Sequence, residues 1–353
     1  MANLIKIGLL IAAAVLLSTA TFRHLNGNSI SRKMGSDLTT FEQFEQWRLT
    51  HGKHYTTPEE RNYRLQLFKE KIAKILHHNS LKLSWTIGLN AFSDMTTEEV
   101  LSKHTGLSQE RPKWIEEEYN MMMAEYPHEL EVSDLPNPSP SGNVDWSTAG
   151  GVNPVALQGN CGSDYAFSAA GAIAGIFFSH YKPDTVPCYS VQQILDCSWG
   201  QGNEGCKGGL MQFALKWAAV GGIASCTQYP YTAQNQKCQP ATPVWKPGGY
   251  KAVPHRSVSA LAKHNEIQPI SVSIEATHII DYKSGVYADP ACGVNLNHGV
   301  LLVGFSHAYW KIQNTWGTSW GEDGYMRMST TASPEVSGGI CGILLDASYP
   351  VIA

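Results

Sequence analysis

The chain carries eight cysteines, Cys161, Cys188, Cys197, Cys206, Cys226, Cys238, Cys292 and Cys341, and all of them fall after residue 140. An even set confined to one stretch reads as a disulfide framework, and no pair has the spacing of a zinc knuckle. Such a framework needs an oxidising compartment and therefore an export route. The N-terminus offers one. Lys6 precedes the apolar run Ile7–Leu17, and Ser18-Thr19-Ala20 supplies small residues for cleavage, so residues 1–20 read as a signal peptide. The alternative is a membrane anchor, but the run is about half of the ~20 residues that span a bilayer. No later stretch reads as transmembrane, and no membrane association is expected after cleavage. Secretory entry is expected, with lysosome, vacuole and extracellular space all open as destinations.

Charge divides the chain the same way. Residues 1–139 hold 32 Asp, Glu, Lys and Arg, whereas the longer stretch 140–353 holds 24. Charged residues are only 16% of the whole and hydrophobic ones 43%, which excludes a disordered or coiled-coil chain. The net charge of −4 gives no cationic face for phosphates, so nucleic acid is excluded as an expected partner.

From Thr40 to Asn79 the periodicity is helical. Phe41, Phe44 and Trp47 share one face, and Glu60, Arg64, Phe68, Lys71, Ile75 and Asn79 continue a three-to-four spacing, with Thr57-Pro58-Glu59-Glu60 as a helix start. Gly88-x-Asn90-x-Phe92-x-Asp94 then alternates as a short strand would. Trp114–Asn143, with its acids, three methionines, Pro136, Pro138 and Pro140, reads as an extended, protease-sensitive linker. Signal peptide, helical segment, linker and cross-linked domain together describe a zymogen.

Gln158-Gly-Asn-Cys161-Gly-Ser-Asp164 leads into a helical pattern, so a glycine-rich turn delivers residue 164 to a helix N-terminus, where backbone N–H groups favour an anion. Far downstream, His298 enters the apolar strand Val300–Val303, followed by Asn314 and Trp316, which could orient and shield an imidazole. With these motifs the chain resembles the papain and cathepsin L family of cysteine proteases from residue 40 to 353. The helical segment is similar to the family's ERFNIN signature, with Lys71 at its first Asn position. Gly88, Asn90, Phe92 and Asp94 match its GNFD signature. The resemblance implies an oxyanion-hole role for Gln158 with the backbone N–H of residue 164, a catalytic role for His298, and supporting roles for Asn314 and Trp316.

One position departs from the family. Where its nucleophilic cysteine stands, this chain has Asp164 followed by Tyr165. Two roles are open for Asp164: a helix N-cap, worth about 1 kcal/mol, or an anion preserving the family's ion pair with His298. Either implies weak or absent peptidase turnover, since Cys161, by resemblance bridged to Cys206, has no thiolate to offer.

The resemblance carries further expectations. Gly208 and Gly209 would pair with a peptide backbone, and the main specificity pocket would be lined by Leu210, Met211, Ser273, Leu296, Gly299 and Asp346. Asp346 is either the floor of that pocket, favouring apolar or basic side chains, or a surface acid. The family pattern pairs Cys161–Cys206, Cys197–Cys238 and Cys292–Cys341, and leaves Cys188–Cys226 as an expected fourth bridge. The expected fold is α+β, a helical lobe and a β-barrel-like lobe with the cleft between them, and the apolar runs Ile270–Ile274, Val300–Phe305, Tyr309–Gln313 and Tyr325–Met328 supply the strands. The expected division is residues 1–20 signal peptide, 21–139 propeptide with an inhibitor-like part at 40–100, and 140–353 peptidase domain. The expected function is a catalytically impaired, monomeric, peptide- or protein-binding homologue, with its own propeptide and cystatin-like inhibitors as further partners. It would use no cofactor and no metal. The alternative is an active endopeptidase using Asp164, His298 and water.

Overall fold

The computed structural model describes residues 39–108, 112–124, 143–330 and 338–353. The expected signal peptide, the three linker prolines and the expected boundary at 139/140 lie outside the described residues.

Two compact units are present, Met1–Lys69 and Glu70–Ala353. In the first, α1 (Thr40–Thr50) starts at a capping box in which Thr39 and Glu42 satisfy each other's backbone donors. The start of α2 (Pro58–Ser80) adds Phe68, which packs at 5.4 Å from Phe44 and 5.2 Å from Trp47. The expected helical span is thus two helices: α1 ends at its C-cap His51, followed by Gly52 in a left-handed conformation, and α2 restarts at Pro58.

The second unit has a helical and a β-rich part, each with its own core. The helical lobe is built around α5 (Asp164–Tyr181) with α6 (Val191–Cys197) and α7 (Met211–Gly221). The β lobe contains β3 (Gly249–Ala252), β4 (Ile270–Ile274), β5 (Tyr282–Tyr287), β6 (His298–Ser306), β7 (Tyr309–Gln313), β8 (Tyr325–Ser329) and β9 (Ala347–Val351), with α8 (Val258–Ile267) beside them. Together with β1 (Trp85–Ile87) the strands run β1-β5-β8-β7-β6-β4-β9-β3, while β2 (Asn143–Asp145) pairs with β6. All four expected strand runs are present. The lobes meet closely where α5 crosses β6: a Cβ on Gly171 would lie 2.7 Å from Leu301. Four bridges cross-link the unit: Cys161–Cys206, Cys188–Cys226, Cys197–Cys238 and Cys292–Cys341. No helix among the described residues is long and apolar enough to cross a membrane.

Two local expectations are corrected. The strand near the glycine–asparagine motif is Trp85–Ile87, and residues 91–94 form a turn. Asn90 explains the change, because its Oδ1 accepts the Phe92 N–H at 2.8 Å and its Nδ2 donates to the Ile280 carbonyl at 2.7 Å, so side-chain bonds replace a strand ladder. The stretch from Trp114, expected to be extended, begins with a helix, α4 (Lys113–Ala124). Ile115, Tyr119 and Met122 recur at helical spacing, and Ile115 is buried in the helical-lobe core. A shorter helix, α3 (Thr97–His104), starts at a second capping box between Thr96 and Glu99.

Candidate active site

The register of β4 with β6 opposes Ile274 to His298 and puts the imidazole at the first residue of β6. Asp164 is the first residue of α5. The N-cap itself is Ser163, which makes no capping bond through its side chain, so the capping role open to Asp164 is not the one it takes. Its carboxylate turns instead toward β6: Oδ2 lies 2.6 Å from His298 Nδ1. Backbone donors complete the anion's surroundings. Oδ2 accepts the Gly299 N–H at 3.1 Å and the Gly106 N–H at 2.9 Å, and Oδ1 accepts the Tyr165 N–H at 2.7 Å. Asp164 and His298 are both 0% exposed, so this dense set of donors is what permits a carboxylate there at all.

On the other side of the ring, His298 Nε2 lies 2.8 Å from Asn314 Oδ1. The Thr315 N–H donates to the same Oδ1 at 2.7 Å, which fixes the amide's orientation. Both imidazole nitrogens therefore face acceptor oxygens, and a ring with hydrogens on both satisfies both contacts. Trp316 stacks on the imidazole at 4.8 Å. Asn314 Nδ2 is buried with no hydrogen-bond partner among the described residues.

Gln158 is buried just before the turn. Its Nε2 donates to the Cys161 carbonyl at 2.8 Å, its Oε1 accepts from Thr315 Oγ1, and its own carbonyl accepts from Tyr231 Oη at 2.7 Å. Burial drives the Tyr231 phenol up to about 12, against the opposing hydrogen bond with Ser163 and reinforced by the nearby Asp164 charge, so the hydroxyl remains a donor.

The segment following α3 runs through this site. Gly209 donates to the Gly106 carbonyl at 2.8 Å, Ser108 donates to the Gly209 carbonyl at 3.0 Å, and Leu107 donates to the Asn297 carbonyl at 3.2 Å. This is strand addition. Only glycine suits position 106, since a Cβ there would lie 2.1 Å from the Gly162 carbonyl oxygen. Gly208 is adjacent, in a left-handed conformation. Upstream, Phe92 packs edge-on against Trp316 at 5.3 Å, and Trp316 Nε1 donates to the His104 carbonyl at 2.8 Å. Lys71, at the position where the helical motif departs, forms an ion pair with Asp281 at 2.6 Å, and Lys74 meets the other oxygen at 2.8 Å.

Of the expected pocket residues, Leu210, Met211, Ser273 and Asp346 are buried and Leu296 is half-buried. Asp346 is no surface acid. Its Oδ1 accepts from Gln212 Nε2 at 2.6 Å and its Oδ2 from Ser273 Oγ, so both oxygens already have side-chain donors. Gln212, Leu296 and Asp346 border a cavity of about 390 Å³, whose other wall includes Ile115 and Tyr119 of α4. Leu210, Met211, Ser273 and Gly299 do not border this cavity. Gly299 instead follows His298 in β6, where a Cβ would lie 3.1 Å from Met211 Sδ and 3.3 Å from the Tyr165 backbone. Sequence reasoning missed Gln212, Gly106 and α4. A glutamine one position beyond an expected lining residue was the only signal for the first.

Comparison with known proteins bears on the family and the fold. Residues 140–351 match the papain family cysteine protease domain, and residues 44–100 match the cathepsin propeptide inhibitor domain. Thiol protease SEN102 of Hemerocallis sp. is 34% identical over 334 residues, covering 91% of this chain and 88% of that protein. Procathepsin L of Rattus norvegicus is 33% identical over 334 residues, covering 90% and 93%. Among solved structures, a recombinant stem bromelain precursor superposes with TM-score 0.77 at 32% identity, covering 89% of this chain and 99% of that one. Procathepsin L 3 of the Tenebrio molitor larval midgut gives 0.76 at 33%, covering 90% and 100%.

Proposed function

The chain belongs to the papain family of cysteine proteases and carries that family's propeptide inhibitor domain, and from this premise we propose that it is a peptide-binding pseudoprotease whose nucleophile position is held by Asp164. One observation carries the reading. The group facing His298 Nδ1 at 2.6 Å is a carboxylate, while all eight cysteines are tied in four bridges. A carboxylate preserves the negative charge of a thiolate–imidazolium pair without its nucleophilicity. Attack by Asp164 on a peptide carbonyl would produce a mixed anhydride, far higher in energy than the amide it replaces.

Water activation fares little better. An imidazole donating at both nitrogens, to Asp164 and Asn314, has no lone pair with which to take a proton from water. Loss of the covalent step leaves binding and oxyanion contacts, which in serine proteases sustain roughly 10³–10⁴-fold over water. The cleft meanwhile keeps its capacity for backbone pairing at Gly209, which the chain's own pro-segment uses. With both Asp346 oxygens engaged, the adjoining pocket favours an apolar side chain over a basic one. We place the protein in the secretory pathway, entering by residues 1–20 and carrying residues 21–139 as its propeptide.

The test is hydrolysis of fluorogenic peptides bearing Phe, Leu or Arg in the main specificity position, over about pH 4 to 7, after an added protease has removed the pro-segment. The natural chain and Asp164→Asn are expected to be inactive and Asp164→Cys active. Turnover by the natural chain that disappears in Asp164→Asn would overturn the reading and make Asp164, with His298 and water, a hydrolytic centre.

A further inference from the structure

Helix α4 lies between the two matched regions, 44–100 and 140–351, and belongs to neither. It has 12 residues, a length at which an isolated helix is marginal in water. What holds it is a set of contacts along one face. The Trp114 ring lies 5.3 Å from Phe213 and carries Lys216 Nζ over it at 4.0 Å. One turn on, Glu118 takes the same ammonium on Oε1 and the Tyr250 hydroxyl on Oε2 at 2.5 Å. Tyr119 stacks on His255 at 3.9 Å, and its hydroxyl accepts the His255 N–H at 3.0 Å. Met122 Sδ accepts the Ala252 N–H at 3.3 Å.

We propose that the surface formed by Phe213, Lys216, Tyr250 and His255 is a docking site for an acidic amphipathic helix, filled in cis by residues 113–124, and that α4 thereby closes the Asp346 pocket as a second pro-segment clamp. The chemistry of the site specifies its occupant: an aromatic ring for the Phe213/Lys216 shelf, a carboxylate one turn later for Lys216 and Tyr250, and a tyrosine beside it for His255. Trp114, Glu118 and Tyr119 provide that order. Lys216 is used twice, by the ring face and by the carboxylate, so the two anchors reinforce each other. Strand pairing at Gly106–Ser108 and the helix contacts are consecutive in the chain, and each raises the effective concentration of the other. A cut at the expected 139/140 boundary therefore leaves both engaged. None of this depends on the role assigned to Asp164.

The experiment uses the full chain. Hydrogen exchange is followed in the wild type, Trp114→Ala/Glu118→Ala, Glu118→Gln and Lys216→Ala. A fluorescent peptide of residues 112–124 is then titrated onto each. In the double variant, amides of 113–124 should lose protection while those of 298–306 keep theirs, which certifies the fold. The peptide should bind the vacated surface at least about tenfold more tightly than the wild type, whose site is filled. Adding Lys216→Ala to the double variant should reduce that binding about fivefold or more, and Glu118→Gln should release α4 only in part. Equal protection of 113–124 in the wild type and the double variant, or a peptide that binds neither, would overturn the proposal.

Discussion

Asp164 and Asp346 are both buried carboxylates of the second unit, and their surroundings differ in kind. Asp164 takes three of its hydrogen bonds from main-chain N–H groups, those of Gly106, Tyr165 and Gly299. Asp346 is met by the side chains of Gln212 and Ser273. Main-chain donors are set by the turn, the helix start and the strand register, and only proline at the donor's own position removes one. Side-chain donors can be replaced together with their acceptor. An acceptor at 164 is thus called for by the backbone around it, while the Gln212 and Ser273 donors at 346 are side chains that can be exchanged together with Asp346.

The largest effect should come from breaking the first arrangement. Asp164→Ala leaves three buried N–H groups and the His298 ring without their acceptor. A cost of about 3–5 kcal/mol in the full chain is expected, of the order seen when one member of a buried ion pair is removed. Asp164→Asn keeps an acceptor and should lose less. Urea unfolding of the three proteins measures both. If the alanine variant is as stable as the natural chain, the carboxylate is not the anchor of this site.

The second prediction separates the two environments. Asp346→Ala should cost about 1–3 kcal/mol by stranding Gln212 and Ser273. Replacing all three together, as Asp346→Leu with Gln212→Leu and Ser273→Ala, should restore much of that loss. No comparable rescue exists at 164, because three of the donors there are backbone. If the triple variant is less stable than Asp346→Ala alone, the interchangeability claimed for the pocket is wrong.

The same distinction explains what could be read from sequence. Apolar runs such as Ile270–Ile274 and Tyr309–Gln313 declare themselves locally, and the structure gives them those limits. The meeting of Asp164 with His298 spans 134 residues, and locally an aspartate at a helix start reads equally well as a cap. The β4–β6 register fixes His298, and the approach of the α5 start to β6 brings Asp164 to it. The 88–94 stretch was misread because side-chain bonds from Asn90 shape a turn whose residue pattern alternates like a strand. Helix α4 was hidden for a related reason. Its acids and methionines look like linker until Lys216, Tyr250 and His255 are placed opposite them, and those residues lie about a hundred or more positions downstream.

The smallest effect concerns two histidines, and it sharpens the contrast between a ring held between two acceptor oxygens and a ring stacked in a buried, positively charged setting. His298 has an acceptor oxygen at each nitrogen, whereas His264, on α8, stacks against Tyr349 at 4.5 Å. Burial, aided by the positive charges of Lys251 and Lys263, holds the His264 imidazole down to about 4. Its ordinary value near 6.5 applies once the chain unfolds, so between these limits the unfolded chain binds the extra proton. Stability from the neutral ring is complete above about pH 6.5 and drains away as pH falls toward 4. The full displacement would correspond to ~3 kcal/mol, and because the ring is only partly buried about 1 kcal/mol is expected. His264→Phe, which keeps the stacking on Tyr349 and cannot be protonated, should flatten the stability profile across that window. Thermal unfolding of both proteins at several pH values decides the matter, and parallel profiles would mean that His264 takes no part in the acid sensitivity of the domain.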